Sequence, residues 1–392
     1  MTSHGRQRLQ KKDHVPDELI MSIFVNLPVK SLLRFKCISK LWRSSVIDND
    51  FIEQHLLNQQ KKDPRILFAS TILRQIAVES MFINVDGAEG IGEAVTDVLT
   101  ITFTNQCEDY FCTLHSCDGV VCFYGTKTIL VCNPSTREFQ RFFFGSDYFV
   151  GQPMRFDPTV GFGRDQVTKE FKLVRFFNPS GTSDDFRMCE VFTLGPDPEV
   201  SWRRLGEAPY SVRGLPGQRP VYVNGALHWI TSFNRHRWEA VVSFDLHTEK
   251  FLAIPHPSCL DSHSDRHYAA LIPLRNSLCL AVLADDDERM NIWIFMKDCQ
   301  SSAALNEKKG AWEMLHSIDV NMGFSIVEHR IPIVEHKNGI LSIKFFGLSL
   351  QLYNPKSKML RDVHALEHWR TFVPTAYFES LVPLCAKDTR VN

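Results

Sequence analysis

The chain has 392 residues, a formal net charge of −1, 44% hydrophobic and 23% charged residues, and 29 phenylalanines. That is the composition of a folded globular protein, too long for one ordinary compact domain unless repeats absorb much of it. The near-neutral charge excludes a global attraction to nucleic acid or to an anionic membrane, so an electrostatic partner has to be recognised by a local patch.

Residues 1–12, MTSHGRQRLQKK, form a basic tail with no apolar run behind it, so no secretory signal is expected. The greasiest long stretch, Ala269 to Ala284, is broken by Pro273, Arg275 and Asn276, and predicts no membrane span. No Asn-x-Ser/Thr acceptor with a non-proline middle residue occurs. The eleven cysteines are an odd number. Together these predict a soluble protein with reduced thiols, in the cytoplasm and/or the nucleus.

The first predicted element is a helix opened by Val15-Pro16-Asp17-Glu18, where proline suits the first turn and acids face the positive end of the macrodipole. Leu19, Ile20, Ile23, Phe24 and Leu27 then form one apolar stripe. Pro28 ends that helix. Leu32, Leu33, Phe35, Cys37 and Ile38 carry a second, and Ser39 to Ile47, with Leu41 and Trp42, a third. Asp48-Asn49-Asp50 is a turn and N-cap cluster ahead of a last short helix with Phe51, Ile52, His55 and Leu56. A unit of this size, residues 13–58, is near the lower limit for an independent core. Short helices cannot hide Ile20, Ile23, Leu27, Leu32, Leu33, Ile38 and Trp42 together, so some are left for a partner or for the rest of the chain. Between Leu19 and Ile47 the charges are Lys30, Arg34, Lys36, Lys40 and Arg43, without an acid.

Val15-Pro16-Asp17-Glu18-Leu19-Ile20, then Leu27 through Arg43 (LPVKSLLRFKCISKLWR), then Asp48 to Leu56, resemble a plant-type F-box, with Val15 departing from the commoner leucine. The resemblance implies a three-helix module that docks on a Skp-type adaptor and, through it, joins a cullin–RING ubiquitin ligase. On that basis the adaptor face is assigned to Pro16, Ile20, Ile23, Leu27, Leu32, Cys37, Ile38 and Trp42. Lys30, Arg34, Lys36 and Lys40 are placed at its rim, steering toward the acidic adaptors of the family.

Residues 59–64, polar, charged and ended by Pro64, are expected to be a linker. After it, apolar runs such as Val120 to Tyr124, Thr128 to Cys132, Phe171 to Phe177, Ala226 to Ile230 and Leu341 to Phe346 are short, β-branched or aromatic, and bounded by turn residues. Asp118-Gly119, Asn224-Gly225 and Asn338-Gly339 each precede a strand, as hairpin turns do. The segments NPSTRE at Asn133, DLHTEK at Asp245 and NPKSKM at Asn354 recur at intervals of about 110 residues, as do SWRRL at Ser201 and AWEML at Ala311. That period is two blades of about 40–50 residues, and predicts alternating blades, one kind with the Asx turn and the other with the tryptophan strand. The expected fold is therefore α+β and multidomain: a three-helix head, then an all-β propeller of about six or seven blades over residues 65–385, and a tail at 386–392.

Ser116-Cys117-Asp118-Gly119, Val131 through Arg137 (VCNPSTR), Val160-Gly161-Phe162-Gly163 and Asn224 through Trp229 (NGALHW) resemble the plant F-box-associated domain, a kelch-like propeller, although the Gly-Gly doublet of true kelch repeats is absent. With the head, the resemblance implies a non-catalytic substrate receptor whose propeller holds an unidentified target protein for ubiquitination. The alternatives are a carbohydrate- or ligand-binding propeller protein, or an F-box scaffold outside any ligase. Specificity is expected in loops such as Ser180 to Asp185, Arg213 to Gln218, Asn234 to Trp238 and Ser258 to Asp265.

The sequence carries no recognisable catalytic or cofactor motif. Gly161-Phe162-Gly163 lacks the third glycine of a dinucleotide loop, and no Walker A, HExxH or GxSxG pattern occurs. Asp285-Asp286-Asp287-Glu288 lacks spaced calcium ligands and suits a solvated hairpin tip. His256, His263 and His267 lie in a polar loop. Cys107, Cys112, Cys117 and Cys122 recur every fifth residue but form no CxxC pair, and are expected to be buried small hydrophobes on opposite strand faces. No catalytic residue, cofactor or metal is assigned, and neither nucleic acid nor membrane is an expected partner.

Overall fold

Two prolines set the beginning of the fold. Pro16 and Pro28, both extended, are the N-caps of α1 (Asp17–Phe24) and α2 (Val29–Phe35), and neither offers a side-chain cap. The third helix, α3 (Lys40–Val46), follows Ser39, and α4 (Asn49–Gln60) starts on Asp48, whose carboxylate accepts the Asp50 and Phe51 N–H groups at 3.1 and 3.2 Å. The head thus has the four helices that the residue pattern predicts, one more than the three-helix module that the resemblance implies, and the last, at 12 residues, is the longest.

The computed structural model describes residues 16–72, 75–83, 94–95, 101–104, 111–125, 128–143, 160–177, 186–195, 202–212, 219–234, 237–257, 269–274, 276–283, 289–297, 310–319, 330–336, 339–344, 349–365 and 375–385. The expected tails, the Asp285–Glu288 tip, Cys107, His263, His267, Asn338 and most of the expected specificity loops lie outside them.

After α4 the described elements are all strands. The first are β1 (Arg65–Ile72), β2 (Gln75–Ile83), β3 (Ala94–Val95) and β4 (Ile101–Thr104). Next come β5 (Phe111–Cys117), β6 (Val120–Gly125), β7 (Thr128–Asn133) and β8 (Glu138–Phe143). The third group is β9 (Val160–Arg164), β10 (Phe171–Phe177), β11 (Phe186–Thr193) and β12 (Arg203–Val212). The fourth is β13 (Val221–Val223), β14 (Ala226–Asn234), β15 (Arg237–Asp245) and β16 (Phe251–Pro255). The fifth is β17 (Ala269–Leu274), β18 (Ser277–Leu283), β19 (Arg289–Lys297) and β20 (Gly310–Asp319). The sixth is β21 (Arg330–His336), β22 (Gly339–Lys344), β23 (Ser349–Asn354) and β24 (Met359–Ala365), and β25 (Thr375–Tyr377) ends the series.

Neighbouring strands pair antiparallel, and β25 returns from the C-terminal region to pair with β1, Arg65 opposite Tyr377, which joins the two ends of the β region. The leading strands of successive groups touch in turn: β5 with β9, β9 with β13, β13 with β17, β17 with β21, β21 with β25 and β25 with β5. This closed ring is a propeller, and closure removes most of the exposed edge that an open sheet of this size would present. Among the described residues the strand pairing gives five sheets, which corrects the expected six or seven blades. The third and fourth groups are hydrogen-bonded through the single pair Val212–Thr231 into one eight-stranded sheet, a link that the sequence repeat gives no sign of.

The Asx-turn segments join the last two strands of the second, fourth and sixth groups, while Trp202 and Trp312 lie at or just before β12 and β20, the last strands of the third and fifth. The alternation predicted from the 110-residue period is therefore present at the level of strands. Asp118-Gly119 and Asn224-Gly225 are hairpin turns in which both residues have positive φ, 49° and 77° in the first and 50° and 78° in the second. At Gly119 a Cβ would also overlap the Ser380 side chain and lie 2.7 Å from the Phe378 carbonyl oxygen.

This turn corrects the view that the cysteines alternate between faces. Cys117 and Cys122 lie on opposite sides of it, on paired strands, and face the same core cluster. Both are buried, and burial pushes their thiols well above the ordinary range, so they act as small apolar groups.

Candidate partner-binding face of the helical head

The head is built around an aromatic trio, one residue from each of the first three helices. Phe24 stacks on Phe35 at 5.2 Å, and Trp42 meets both edge-on at 5.4 and 5.7 Å. Below the trio, Phe24, Val29, Leu32, Val46, Phe51, Ile52 and Leu56 enter one continuous buried cluster with Val120, Phe162, Leu381, Val382 and Leu384 of the ring. The head therefore shares its core with the propeller.

The shared core does not use the whole stripe. Leu19 and Ile23, one turn apart on α1, are 55% and 56% exposed; Ile38, in the turn before α3, is 68% exposed, and Leu41 is 56% exposed. With Ile47 and Leu57 also exposed, large aliphatic side chains are left open around an aromatic trio of which Phe24 is buried and Phe35 and Trp42 half-buried, an arrangement suited to docking. Pro16 and Cys37 are exposed beside them, as are Lys30, Arg34, Lys40 and Arg43; Lys36 is half-buried.

The assigned face is thus brought together in part. Ile23, Ile38, Cys37 and Pro16 are open; Ile20, Leu27 and Trp42 are half-buried against the core. Leu32 is a correction: it is fully buried, because α2 turns that side toward the ring. Leu19 and Leu41, exposed on α1 and α3, were not among the residues assigned to the face. Their signal was present, since Leu19 lies four residues before Ile23 and Leu41 precedes Trp42, but nothing in the sequence divides an all-round apolar helix into inner and outer faces.

The expected linker is also different in kind. Gln59 and Gln60 belong to α4, and Gln60 Nε2 donates to the Asp118 carboxylate at 3.1 Å. Lys62 Nζ donates to the Asn26 carbonyl oxygen and to Gln59 Oε1, and Asp63 lies 3.4 Å from His336 Nε2. These bonds make the segment a joint, with both sides held.

Elsewhere the geometry offers little chemistry. His256 Nδ1 lies 3.1 Å from the neighbouring Pro257 carbonyl oxygen. Among the described residues no group of three or more His, Cys, Asp or Glu side chains could hold a metal ion, and no helix is long and apolar enough to cross a membrane.

Fold and face together define a class: a propeller protein whose helical head shares the ring's core and leaves an apolar, cation-flanked surface open. Comparison with known proteins identifies the two regions of the chain. Residues 13–54 match the F-box domain and residues 61–371 the F-box associated beta propeller domain. Three relatives from Arabidopsis thaliana illustrate the likeness. "F-box/LRR-repeat protein At2g43260" is 31% identical over 95% of this chain and 83% of its own length; "F-box protein At5g10340" is 29% identical over 94% and 84%. "F-box protein At2g34280" is 26% identical over 95% of this chain and 100% of its own. The chain belongs to the family of F-box proteins that carry an F-box associated beta propeller domain.

Proposed function

We propose that this protein is the substrate-recognition subunit of a Skp–cullin–F-box ubiquitin ligase. The outer face of the head docks on a Skp-type adaptor, and the propeller holds a target protein. The subunit contributes no reacting group of its own. It raises the effective concentration of target lysines near a separate enzyme charged with ubiquitin. That role places it in the cytoplasm or nucleus, with the rest of the ligase.

The observation that carries this reading is the open face of Leu19, Ile23, Ile38 and Leu41, on α1 and around the start of α3, on a head whose remaining large apolar residues, Ile47 and Leu57 apart, are buried or half-buried. Covering such half-exposed side chains contributes roughly 1–2 kcal/mol each, enough for a few of them to hold a specific partner.

Co-expression with a Skp-type adaptor, followed by affinity capture of the tagged chain, tests it. The intact chain is expected to retain the adaptor at unit stoichiometry. Ile23→Asp and Ile38→Asp are expected to reduce capture at least tenfold while the melting temperature stays within a few degrees. Leu32→Asp is unsuitable, since a charge at that buried site would unfold the shared core. Retention by both exposed-site variants would refute the face, and failure of the intact chain to bind any Skp-type adaptor would refute the function.

A further inference from the structure

The way the head meets the ring is more specific than apolar packing requires. Arg164, at the end of β9, is 5% exposed in its side chain. Its Nη2 donates to Glu53 Oε1 of α4 at 2.7 Å, its Nη1 lies 3.4 Å from Asp118 Oδ2, and its guanidinium lies over the Phe171 ring at 5.6 Å. Lys169 Nζ adds a second cation 3.3 Å from Glu53 Oε2, and Gln60 of α4 holds the other oxygen of Asp118. One buried guanidinium therefore joins a helix of the head to the first hairpin turn of β5–β6.

A second contact lies on a different helix. Pro28 gives α2 no side-chain cap, so the Val29 N–H needs an acceptor from elsewhere. Glu379, just after β25, supplies it: Oε2 accepts the Val29 N–H at 3.2 Å, while Oε1 is 3.8 Å from Arg65 of β1. A carboxylate at a helix N-terminus is favoured by the macrodipole as well as by the hydrogen bond. The ring thus completes α2, 350 residues away in the chain. Two directional contacts on two different helices, with the shared apolar cluster between them, fix rotation as well as position.

We propose that Arg164 and Glu379 are positioning residues that hold head and ring as one rigid body, so that the adaptor-binding face keeps a fixed direction relative to the propeller. The inference rests on the receptor reading given above. Its consequence is selectivity among lysines: with a fixed direction, only those on one side of the ring, or of a target held by it, come within reach of the ubiquitin donor.

The test needs no identified target. In a ligase reconstituted from the intact chain, a Skp-type adaptor and a cullin–RING pair, the chain's own lysines serve as acceptors and are mapped by mass spectrometry. The intact chain is expected to be modified at a restricted subset. The pair Arg164→Gln and Glu379→Gln is expected to at least double the number of modified sites, with adaptor capture unchanged. Amide hydrogen exchange on the same proteins is expected to rise at least tenfold in α4 while β10 and β11 keep their protection. If exchange rises throughout the ring as well, Glu53→Gln, which removes charge at constant volume, replaces the pair in both measurements. An unchanged site map with unchanged α4 exchange overturns the inference. If the intact chain captures no adaptor, the receptor reading fails, while the exchange measurement still decides whether these residues hold the head.

Discussion

His115 stands on β5 opposite Cys122, with its imidazole closed off from water. Burial is the largest influence on it, and together with the nearby Arg219 charge it pulls the pKa down to about 3, against a smaller opposing effect of a hydrogen bond to the Val160 backbone. The folded chain therefore keeps this ring neutral, whereas the unfolded chain takes up a proton near pH 6.5. Stability from this group is complete above pH 6.5 and is lost as pH falls from there toward 3. Between pH 7 and pH 5 the loss amounts to about 2 kcal/mol. Urea titrations at the two pH values are expected to differ by that amount, and His115→Gln to remove most of the difference. His55 adds a residue of the same sign, since burial lowers its pKa as well. An equally pH-sensitive His115→Gln protein would show that the burial of this ring has been misjudged. None of this was legible in the sequence, because a histidine in a strand shows its alternation but not its neighbours. Leu32 and Leu19 illustrate the same limit: both were legible as apolar, and only packing separates the buried one from the open one.

At the scale of the element, the recurring turns were the most legible feature. Asn133, Asp245 and Asn354 each use Oδ1 to accept the N–H groups two and three residues on, and Arg137, Glu249 and Lys358 close the turns at positive φ. Asp165 builds the same turn between β9 and β10, with Lys169 at positive φ, and escaped notice because it falls between different strands of its group and out of the period. The turns look alike in sequence but not in energy. Asn133 is fully buried, and its Nδ2 also donates to the Ser380 and Val382 carbonyl oxygens at 3.0 and 2.9 Å, tying the C-terminal segment to the ring. Asn133→Ala leaves buried carbonyls without those donors and is expected to cost about 2–4 kcal/mol. Asn354→Ala, at a half-buried turn whose side chain, among the described residues, bonds to its own turn backbone, is expected to cost about 1 kcal/mol. Denaturant midpoints of the two variants check this, and equal losses would mean that Asn133 does no more than shape its turn.

For the molecule as a whole, the division into helical head and β body was legible, because the hydrophobic period changes near residue 64. How the two parts sit was not. The contacts that decide it join Glu53 to Arg164 and Val29 to Glu379, pairs 111 and 350 residues apart, and each member alone looks like an ordinary surface charge or turn residue. Charge distribution, by contrast, can be read directly: 44 basic residues nearly balance 45 acidic ones over the chain, yet Lys30, Arg34, Lys40 and Arg43 are exposed on the head without an acid between Leu19 and Ile47. A local cationic surface on a near-neutral protein steers an acidic partner during the encounter and contributes less once apolar contacts have formed. The salt response of adaptor binding is therefore expected in the association rate. Raising the salt from about 0.05 M to 0.5 M shortens the screening length to a few Å and is expected to slow association about tenfold, with dissociation nearly unchanged. Lys30→Ala, Arg34→Ala and Lys40→Ala combined are expected to give the slow rate already at low salt and to flatten its salt dependence. Stopped-flow measurements with a Skp-type adaptor decide the matter: if salt acts mainly on dissociation, these cations belong inside the bound interface and the apolar face is only part of what holds the complex.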